Sequence, residues 1–207
     1  MRRLVGIDEA GRGALAGPVV AAAVIFPTAR KHPKIKDSKQ MRVKDRLHQA
    51  CFIRESAHAW SIAMASVNEI DQLNIHHASL LAMKRAVELL GTLADFAVVD
   101  GKYYPKIKVP GEALIKGDSL IAEISAASIL AKTARDALMI KLGSRYPGYG
   151  LGQHKGYPTK FHLARLLKIG VSPCHRRSYG PVARLLDQSA VECRIRSDEF
   201  RSPPGPL

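Results

Sequence analysis

Acidic residues follow three apolar segments of the sequence, where short strands are expected to end: Asp8 with Glu9, Asp100, and Asp118. Strand ends and the loops after them collect functional groups in α/β proteins, because the sheet holds those side chains rigidly. Carboxylates that converge in one cleft repel one another and are tolerated only when protons or cations neutralise them. A single Asp at a strand end is more often a turn residue or a helix cap than a ligand. The spacing alone therefore leaves both interpretations open.

If these carboxylates converge, the chemistry they favour depends on metal. Oxygen ligands suit magnesium or manganese, and the sequence has no His/Cys set at the spacing of a zinc site. Two such ions about 3.5–4 Å apart can activate a water molecule and stabilise the leaving oxygen of an in-line phosphoryl displacement.

The elements that would position these residues form an α/β pattern. Alternation and apolar runs predict strands over 4–7, 19–26, 60–65, 96–99 and 113–115. Helical spacing predicts helices over 43–52, after the capping residues at 68–71, and over 121–142, 161–168 and 181–186. Strands and helices that alternate in this way predict an α/β fold in which strand ends carry the acidic groups.

Size and composition indicate one globular domain. The chain has 207 residues, of which 46% are hydrophobic and 24% charged. No apolar run approaches the roughly 20 residues that span a bilayer, and the N-terminal apolar stretch is too short for a signal peptide. A membrane location is not expected, and the cytoplasm is the expected compartment. Three scattered cysteines predict reduced thiols rather than a disulfide framework.

The charge balance favours a polyanionic partner. Lys and Arg number 32 against 18 acidic residues, a net charge of +14. Such an excess attracts nucleic acid first and an anionic membrane surface second, although a merely solvated basic surface is common. The residues predicted to form a duplex-binding surface are Lys132, Arg135, Lys141 and Arg145 on the long helix, with Arg176 and Arg177 further on.

An ordered series of short blocks carries a family resemblance. The blocks are Asp8–Gly13, Leu15–Val20, Asp37–Lys39, Asn68–Ile75, Asp100–Gly101, Lys116–Asp118, Ser125–Lys132, Arg135–Asp136, His154–Tyr157 and His175–Ser178. In kind and order they resemble bacterial ribonuclease HII, of the type 2 ribonuclease H family. The series extends over nearly the whole chain, so the resemblance is specific even though each block alone is weak evidence.

The resemblance implies a ribonuclease H-like fold, with a five-stranded mixed sheet flanked by helices and a helical C-terminal extension. It implies that residues 1–187 form the catalytic domain, while the composition of residues 188–207 predicts a disordered tail. It implies a monomeric endoribonuclease that uses Mn²⁺ or Mg²⁺ to cut RNA in RNA–DNA hybrid duplexes. Its substrates would include DNA that contains embedded ribonucleotides.

Carried over by position, the resemblance implies a catalytic and metal-ligating set of four carboxylates: Asp8, Glu9, Asp100 and Asp118. It assigns nucleic-acid binding near the scissile phosphate to Gly11, Arg12 and Gly13, and contact with the RNA-to-DNA junction to Tyr157. Glycines let backbone N–H groups approach phosphate and sugar, and an RNA-specific enzyme must sense the 2′-OH. A tyrosine ring can stack on a deoxyribose or a base.

Two positions depart from the family pattern. Ala14 stands where Pro is usual, so the loop after Gly13 is less restrained. Pro158 stands where Gly is usual and biases Tyr157 toward extended geometry, which puts the fine substrate preference in doubt.

Other residues and functions compete with this interpretation. Asp136 could replace Asp118 as the fourth carboxylate, but its place four residues after Lys132 predicts an ion pair within a helix. The histidines His154, His162 and His175 are predicted to be structural or phosphate-side residues, since two-metal hydrolysis needs none. A catalytically silent hybrid-binding protein and another metal-dependent DNA nuclease of the same fold are the alternative functions.

Overall fold

A computed structural model describes residues 3–27, 41–91 and 93–188 of the chain. Five strands form one mixed sheet in the order β3-β2-β1-β4-β5. Their bounds are Leu4–Ala10 (β1), Val19–Ile25 (β2), Ala59–Ala65 (β3), Phe96–Asp100 (β4) and Gly111–Leu114 (β5). β2 is antiparallel to β1 and β3, whereas β4 is parallel to β1 and β5. The predicted five-stranded mixed sheet is confirmed.

Helices flank this sheet and continue beyond it. Their bounds are Val43–Ser56 (α1), Val67–Leu89 (α2), Ala122–Arg145 (α3), Leu151–His154 (α4) and Lys160–Ile169 (α5), and residues 180–188 are also helical. The last three helices pack on Leu15, Ala16 and Met139 and form the predicted helical extension. The predicted Asp37–Lys39 block and residues 189–207 of the predicted tail lie outside the described residues. Within the described residues, no helix is long and apolar enough to cross a membrane.

The start of α2 differs from the sequence prediction. Ser66 is the N-cap: its side chain accepts a hydrogen bond from the N–H of Glu69, whose carboxylate accepts one from the N–H of Ser66. This capping box starts the helix before the predicted capping residues. Asn74 then breaks the helix with φ 66° and restarts it by accepting from the N–H of His76. Leu73, which lies directly before this break, is 40% exposed.

Two apolar layers cover the two faces of the sheet. Alternate residues of β2 face opposite sides, with Ala21, Ala23 and Ile25 in the cluster that α2 covers and Ala22 and Val24 in the cluster that α1 and α3 cover. β2 is therefore buried throughout.

α3 crosses the central strand β1 at very short distance. A Cβ atom on Gly6 would lie 2.1 Å from the main-chain carbonyl carbon of Glu123, so only glycine permits this crossing. The contact brings α3 against the strand that ends in Asp8, and so sets the floor of the acidic cleft.

Candidate metal centre and nucleic-acid interface

Three of the predicted acidic residues meet at one edge of the sheet. β1 and β4 are parallel and pair Ile7 with Val99, so Asp8 and Asp100 are the next residues in register. Asp118 lies on the short 3₁₀ turn that follows β5. One carboxylate oxygen from each of Asp8, Asp100 and Asp118 lies within 4.8 Å of the other two. The convergence that the sequence left open is therefore present.

Local hydrogen bonds orient these carboxylates. The N–H of Glu9 donates to Oδ1 of Asp8 at 2.7 Å, and the N–H of Gly117 donates to Oδ1 of Asp100 at 2.8 Å. Ser128 of α3 also hydrogen-bonds to the Asp8 side chain. The sequence placed Ser128 in a family block without a role, and only the crossing of α3 over β1 brings it to the acidic cleft.

The cleft is electrostatically unfavourable without a cation. Asp8 is only 4% exposed, and burial, followed by the charges of Glu9 and Asp100, raises its pKa well above the usual value. Asp118 is 8% exposed. Buried carboxylates that repel one another in an oxygen-only set are the arrangement that a hard divalent cation stabilises. The residues present therefore fit Mg²⁺ or Mn²⁺.

Glu9 lies beside this three-carboxylate group but not in it. Glu9 follows Asp8 on β1, and its charge contributes to raising the pKa of Asp8, after the larger effect of burial. Its carboxylate oxygen Oε1 lies 3.4 Å from a guanidinium nitrogen of Arg12. Burial raises the pKa of Glu9, Arg12 lowers it, and the charge of Asp100 raises it further. The fourth predicted ligand is therefore within electrostatic reach of the group.

Asp136, the competing carboxylate, has a structural role. Its two oxygens lie 2.7 Å from Nζ of Lys132 and 3.0 Å from a guanidinium nitrogen of Arg46, which joins α3 to α1. The predicted ion pair with Lys132 is confirmed. Among the described residues, the only acidic group suited to a metal is the one that contains Asp118.

The residues predicted to bind nucleic acid lie together. Gly11 has φ +100°, and a Cβ atom there would lie 1.9 Å from Nε of Arg135. A Cβ atom on Gly13 would lie 3.9 Å from Cε1 of Tyr157, so the tyrosine ring is next to this loop. Arg12 and Gly13 are exposed. The contact between Arg12 and Glu9 links this surface to the acidic cleft.

Cations and histidines surround Tyr157. Nζ of Lys132 lies 5.7 Å from the centre of the tyrosine ring, and the guanidinium carbon of Arg135 lies 5.5 Å from it. The carbonyl of Tyr157 is 3.0 Å from Nδ1 of His162, whose Nε2 is 3.0 Å from Nε2 of His175. His154 stacks on His162, with ring centres 4.3 Å apart. The predicted structural use of these three histidines agrees with these contacts.

The predicted basic surface is partly wrong. Arg135 and Arg176 are both 0% exposed and cannot contact a duplex directly. Lys141, Arg145 and Arg177 are exposed as predicted. The two buried arginines donate instead to main-chain carbonyls of the loop after β1. Sequence alone does not separate these two arginines from their exposed neighbours.

The mixed sheet with an acidic group at the ends of β1 and β4 defines the ribonuclease H-like class of fold. A solved structure of that class, ribonuclease H2 from Pyrococcus horikoshii OT3, superposes with a TM-score of 0.76 over 90% of this chain and 98% of its own. The two sequences are 23% identical, so this likeness shows the fold alone.

Sequence comparison identifies the family within that class. The family model for ribonuclease HII matches residues 5–182. The ribonuclease HII of Dechloromonas aromatica is 57% identical over 181 residues, which cover 87% of this chain and 92% of that protein. The ribonuclease HII of Laribacter hongkongensis is 53% identical over 195 residues, which cover 92% and 98%. The chain belongs to the ribonuclease HII family.

Proposed function

We propose that this chain hydrolyses RNA in RNA–DNA duplexes with a catalytic and metal-ligating set of four carboxylates: Asp8, Glu9, Asp100 and Asp118. Membership of the ribonuclease HII family makes the protein a metal-dependent endoribonuclease of the ribonuclease H type. The observation that carries the site assignment is the convergence of Asp8, Asp100 and Asp118 within 4.8 Å. No other described group of acidic, His or Cys residues offers such a set.

The carboxylates would hold two ions of Mg²⁺ or Mn²⁺. Such a pair supplies the activated water and the stabilised leaving oxygen of an in-line phosphoryl displacement, which leaves 3′-hydroxyl and 5′-phosphate ends. Hydrogen bonds from Ser128 and from the N–H of Glu9 hold the Asp8 carboxylate, and the N–H of Gly117 holds that of Asp100. A bound cation would favour the charged form of Asp8, because ligation requires a deprotonated carboxylate.

The loop Gly11–Gly13 and Tyr157 would select the substrate. We propose that the loop contacts the 2′-OH of one nucleotide, while Tyr157 packs on the next and disfavours a ribose there. A Cβ atom on Gly13 would lie 3.9 Å from Cε1 of Tyr157, and this proximity supports a single recognition surface. Cleavage would then fall on the 5′ side of one ribonucleotide embedded in duplex DNA.

A labelled duplex tests these assignments. A DNA duplex with one ribonucleotide is incubated with Mg²⁺, Mn²⁺ or EDTA, beside a continuous RNA–DNA hybrid and an all-DNA duplex. We expect cleavage of both ribonucleotide-containing duplexes with either ion and none in EDTA. Binding without cleavage would indicate a silent hybrid-binding protein, and cleavage of the all-DNA duplex would indicate a DNA nuclease. If only the continuous hybrid is cut, junction recognition by Tyr157 is excluded while the nuclease assignment stands.

We also propose that the enzyme acts as a monomer in the cytoplasm. Light scattering on the purified chain measures the oligomeric state, and fractionation of cells measures the location. A stable dimer at enzyme-assay concentrations would contradict the monomer.

A further inference from the structure

The chain buries two arginine side chains directly beneath the Gly11–Gly13 loop. Arg135 and Arg176 are 0% exposed, and neither forms a salt bridge with a carboxylate of the described residues. Burial lowers the pKa of Arg135 to about 10 and lowers that of Arg176. A buried charge without an ionic partner is costly unless hydrogen bonds satisfy it. These guanidinium groups are therefore expected to donate hydrogen bonds that an apolar side chain could not replace.

Main-chain carbonyls satisfy both groups. Arg176 donates from Nε to Gly17 at 2.9 Å, and from its two terminal nitrogens to Arg12 and Gly11 at 2.8 Å each. Arg135 donates to the carbonyls of Ala16 and Pro18 at 3.1 Å and of Lys155 at 3.0 Å. Arg176 therefore holds the Gly11–Gly13 loop, and Arg135 connects the residues after this loop to the turn that carries Tyr157.

The direction of these carbonyls sets the direction of the N–H groups. In a trans peptide the C=O and the following N–H point in opposite directions, and the described chain has no cis peptide. The carbonyls of Gly11 and Arg12 point inward to Arg176, so the N–H groups of Arg12 and Gly13 point outward. Both of these residues are exposed, and Gly13 lies beside Tyr157. The Gly11–Gly13 loop thus presents N–H donors on the side where a 2′-OH or a phosphate oxygen would approach.

Tyr179 completes this arrangement. Its hydroxyl donates to the carbonyl of Arg12 and accepts from Arg176 at 2.9 Å, while the guanidinium carbon lies 5.1 Å from the centre of its ring. We propose that Arg176 and Tyr179 are positioning residues that hold the Gly11–Gly13 loop with its donors toward the ribonucleotide. This inference rests on the proposed recognition by that loop, and it gives both residues an indirect part in the discrimination between ribose and deoxyribose.

Tyr179→Phe removes the hydroxyl and leaves the buried charge in place. Tyr149→Phe is the matched control, because the Tyr149 hydroxyl donates to the carbonyl of Gly170 at 2.9 Å, outside the recognition loop. Affinity for a duplex with one ribonucleotide and for the same all-DNA duplex is measured in EDTA by fluorescence anisotropy. The ratio of the two dissociation constants reports discrimination separately from cleavage. Thermal melting and Mn²⁺ binding by titration calorimetry report fold and metal site.

We expect Tyr179→Phe to lower the discrimination ratio at least threefold, with Mn²⁺ binding unchanged and melting lowered by only a few degrees. Tyr149→Phe should lower melting by a similar amount and keep the wild-type ratio, since each variant loses hydrogen bonds of one hydroxyl. Arg176→Lys should also lower the ratio, because a single ammonium cannot reproduce the planar fork of donors. An unchanged ratio in Tyr179→Phe, with or without weaker binding of both duplexes, overturns the inference alone. A ratio near one in the wild type overturns the proposed recognition and this inference with it.

Discussion

Gly11 and Gly13 belong to one loop, but substitution of each is expected to affect a different property of the protein. Gly11 has φ +100°, and a Cβ atom would meet the buried Arg135 side chain at 1.9 Å from Nε and 2.4 Å from Cδ. At Gly13 the nearest atom to a Cβ is Cε1 of Tyr157, at an ordinary contact distance of 3.9 Å. Gly11→Ala should therefore damage the fold, and Gly13→Ala should damage recognition alone.

The magnitudes follow from the two environments. At Gly11, a non-glycine residue in a strained backbone region costs about 1–3 kcal/mol, and crowding in a packed interior costs about the same again. A loss of about 3 kcal/mol in the free energy of unfolding lowers the melting temperature of a chain of this size by about 6–12 °C. At Gly13, an exposed substitution changes stability by about 0.5 kcal/mol or less. There, one substrate hydrogen bond blocked by the methyl group, about 1 kcal/mol, slows cleavage about fivefold.

The assay pairs thermal denaturation of both variants with cleavage of the single-ribonucleotide duplex at a temperature where both are folded. Gly13→Ala should melt within about 2 °C of the wild type and cleave about fivefold more slowly. Equal melting of Gly11→Ala and Gly13→Ala would refute the account of the buried Arg135 contact. Wild-type cleavage by Gly13→Ala would refute close approach of the substrate to this loop.

Three further predictions use the acidic group, the histidine cluster and the exposed cations. Asp118→Asn should reduce cleavage by orders of magnitude and keep the melting temperature, because it removes a proposed metal ligand. Asp136→Asn should keep most cleavage and lose about 2–4 kcal/mol of stability, since it breaks a largely buried ion-pair network. The reverse pattern in parallel melting and rate measurements would exchange the roles of these two carboxylates. Burial lowers the pKa of His175 to about 4. Between pH about 6.5 and 4, this imidazole is therefore protonated in the unfolded chain but neutral in the folded chain. Stability should therefore fall by about 2–3 kcal/mol as the pH drops from about 6.5 to 4, and His175→Gln should flatten this part of the profile; equal slopes would contradict the assignment. Duplex affinity should fall steeply as the salt concentration rises. Lys141→Gln and Arg177→Gln should each reduce the slope of log K against log salt by about 1. Slopes equal to that of the wild type would mean that these two charges do not contact the duplex.

Much of the fold could be predicted because it depends on local patterns. The continuous apolar run of β2 is buried on both faces, and the short apolar segments before Asp8 and Asp100 are strands. Asp118 could be preferred over Asp136 because a Lys four residues earlier on a helix predicts a local ion pair. The family resemblance implied a five-stranded mixed sheet, whereas the parallel pairing of β1 with β4 is contained in no local pattern.

Some local signals were misjudged because of the surrounding chain. The capping residues of α2 were predicted at 68–71, but Ser66 caps the helix because the end of β3 leaves its N–H free to bond the Glu69 carboxylate. Leu73 is apolar and nonetheless 40% exposed, and Asn74, whose φ of 66° interrupts the helix, follows it directly.

The amino-acid sequence shows which residue types are available: carboxylates at strand ends, a glycine loop after the first strand, a tyrosine in the C-terminal region and an excess of cations. The burial of Arg135 and Arg176 is visible only in the folded chain. Their carbonyl partners on the loop after β1 are 117 to 165 residues away in the chain. Hydrophobic periodicity reports one face of one helix, whereas the burial of a guanidinium group depends on carbonyls that distant segments bring to it.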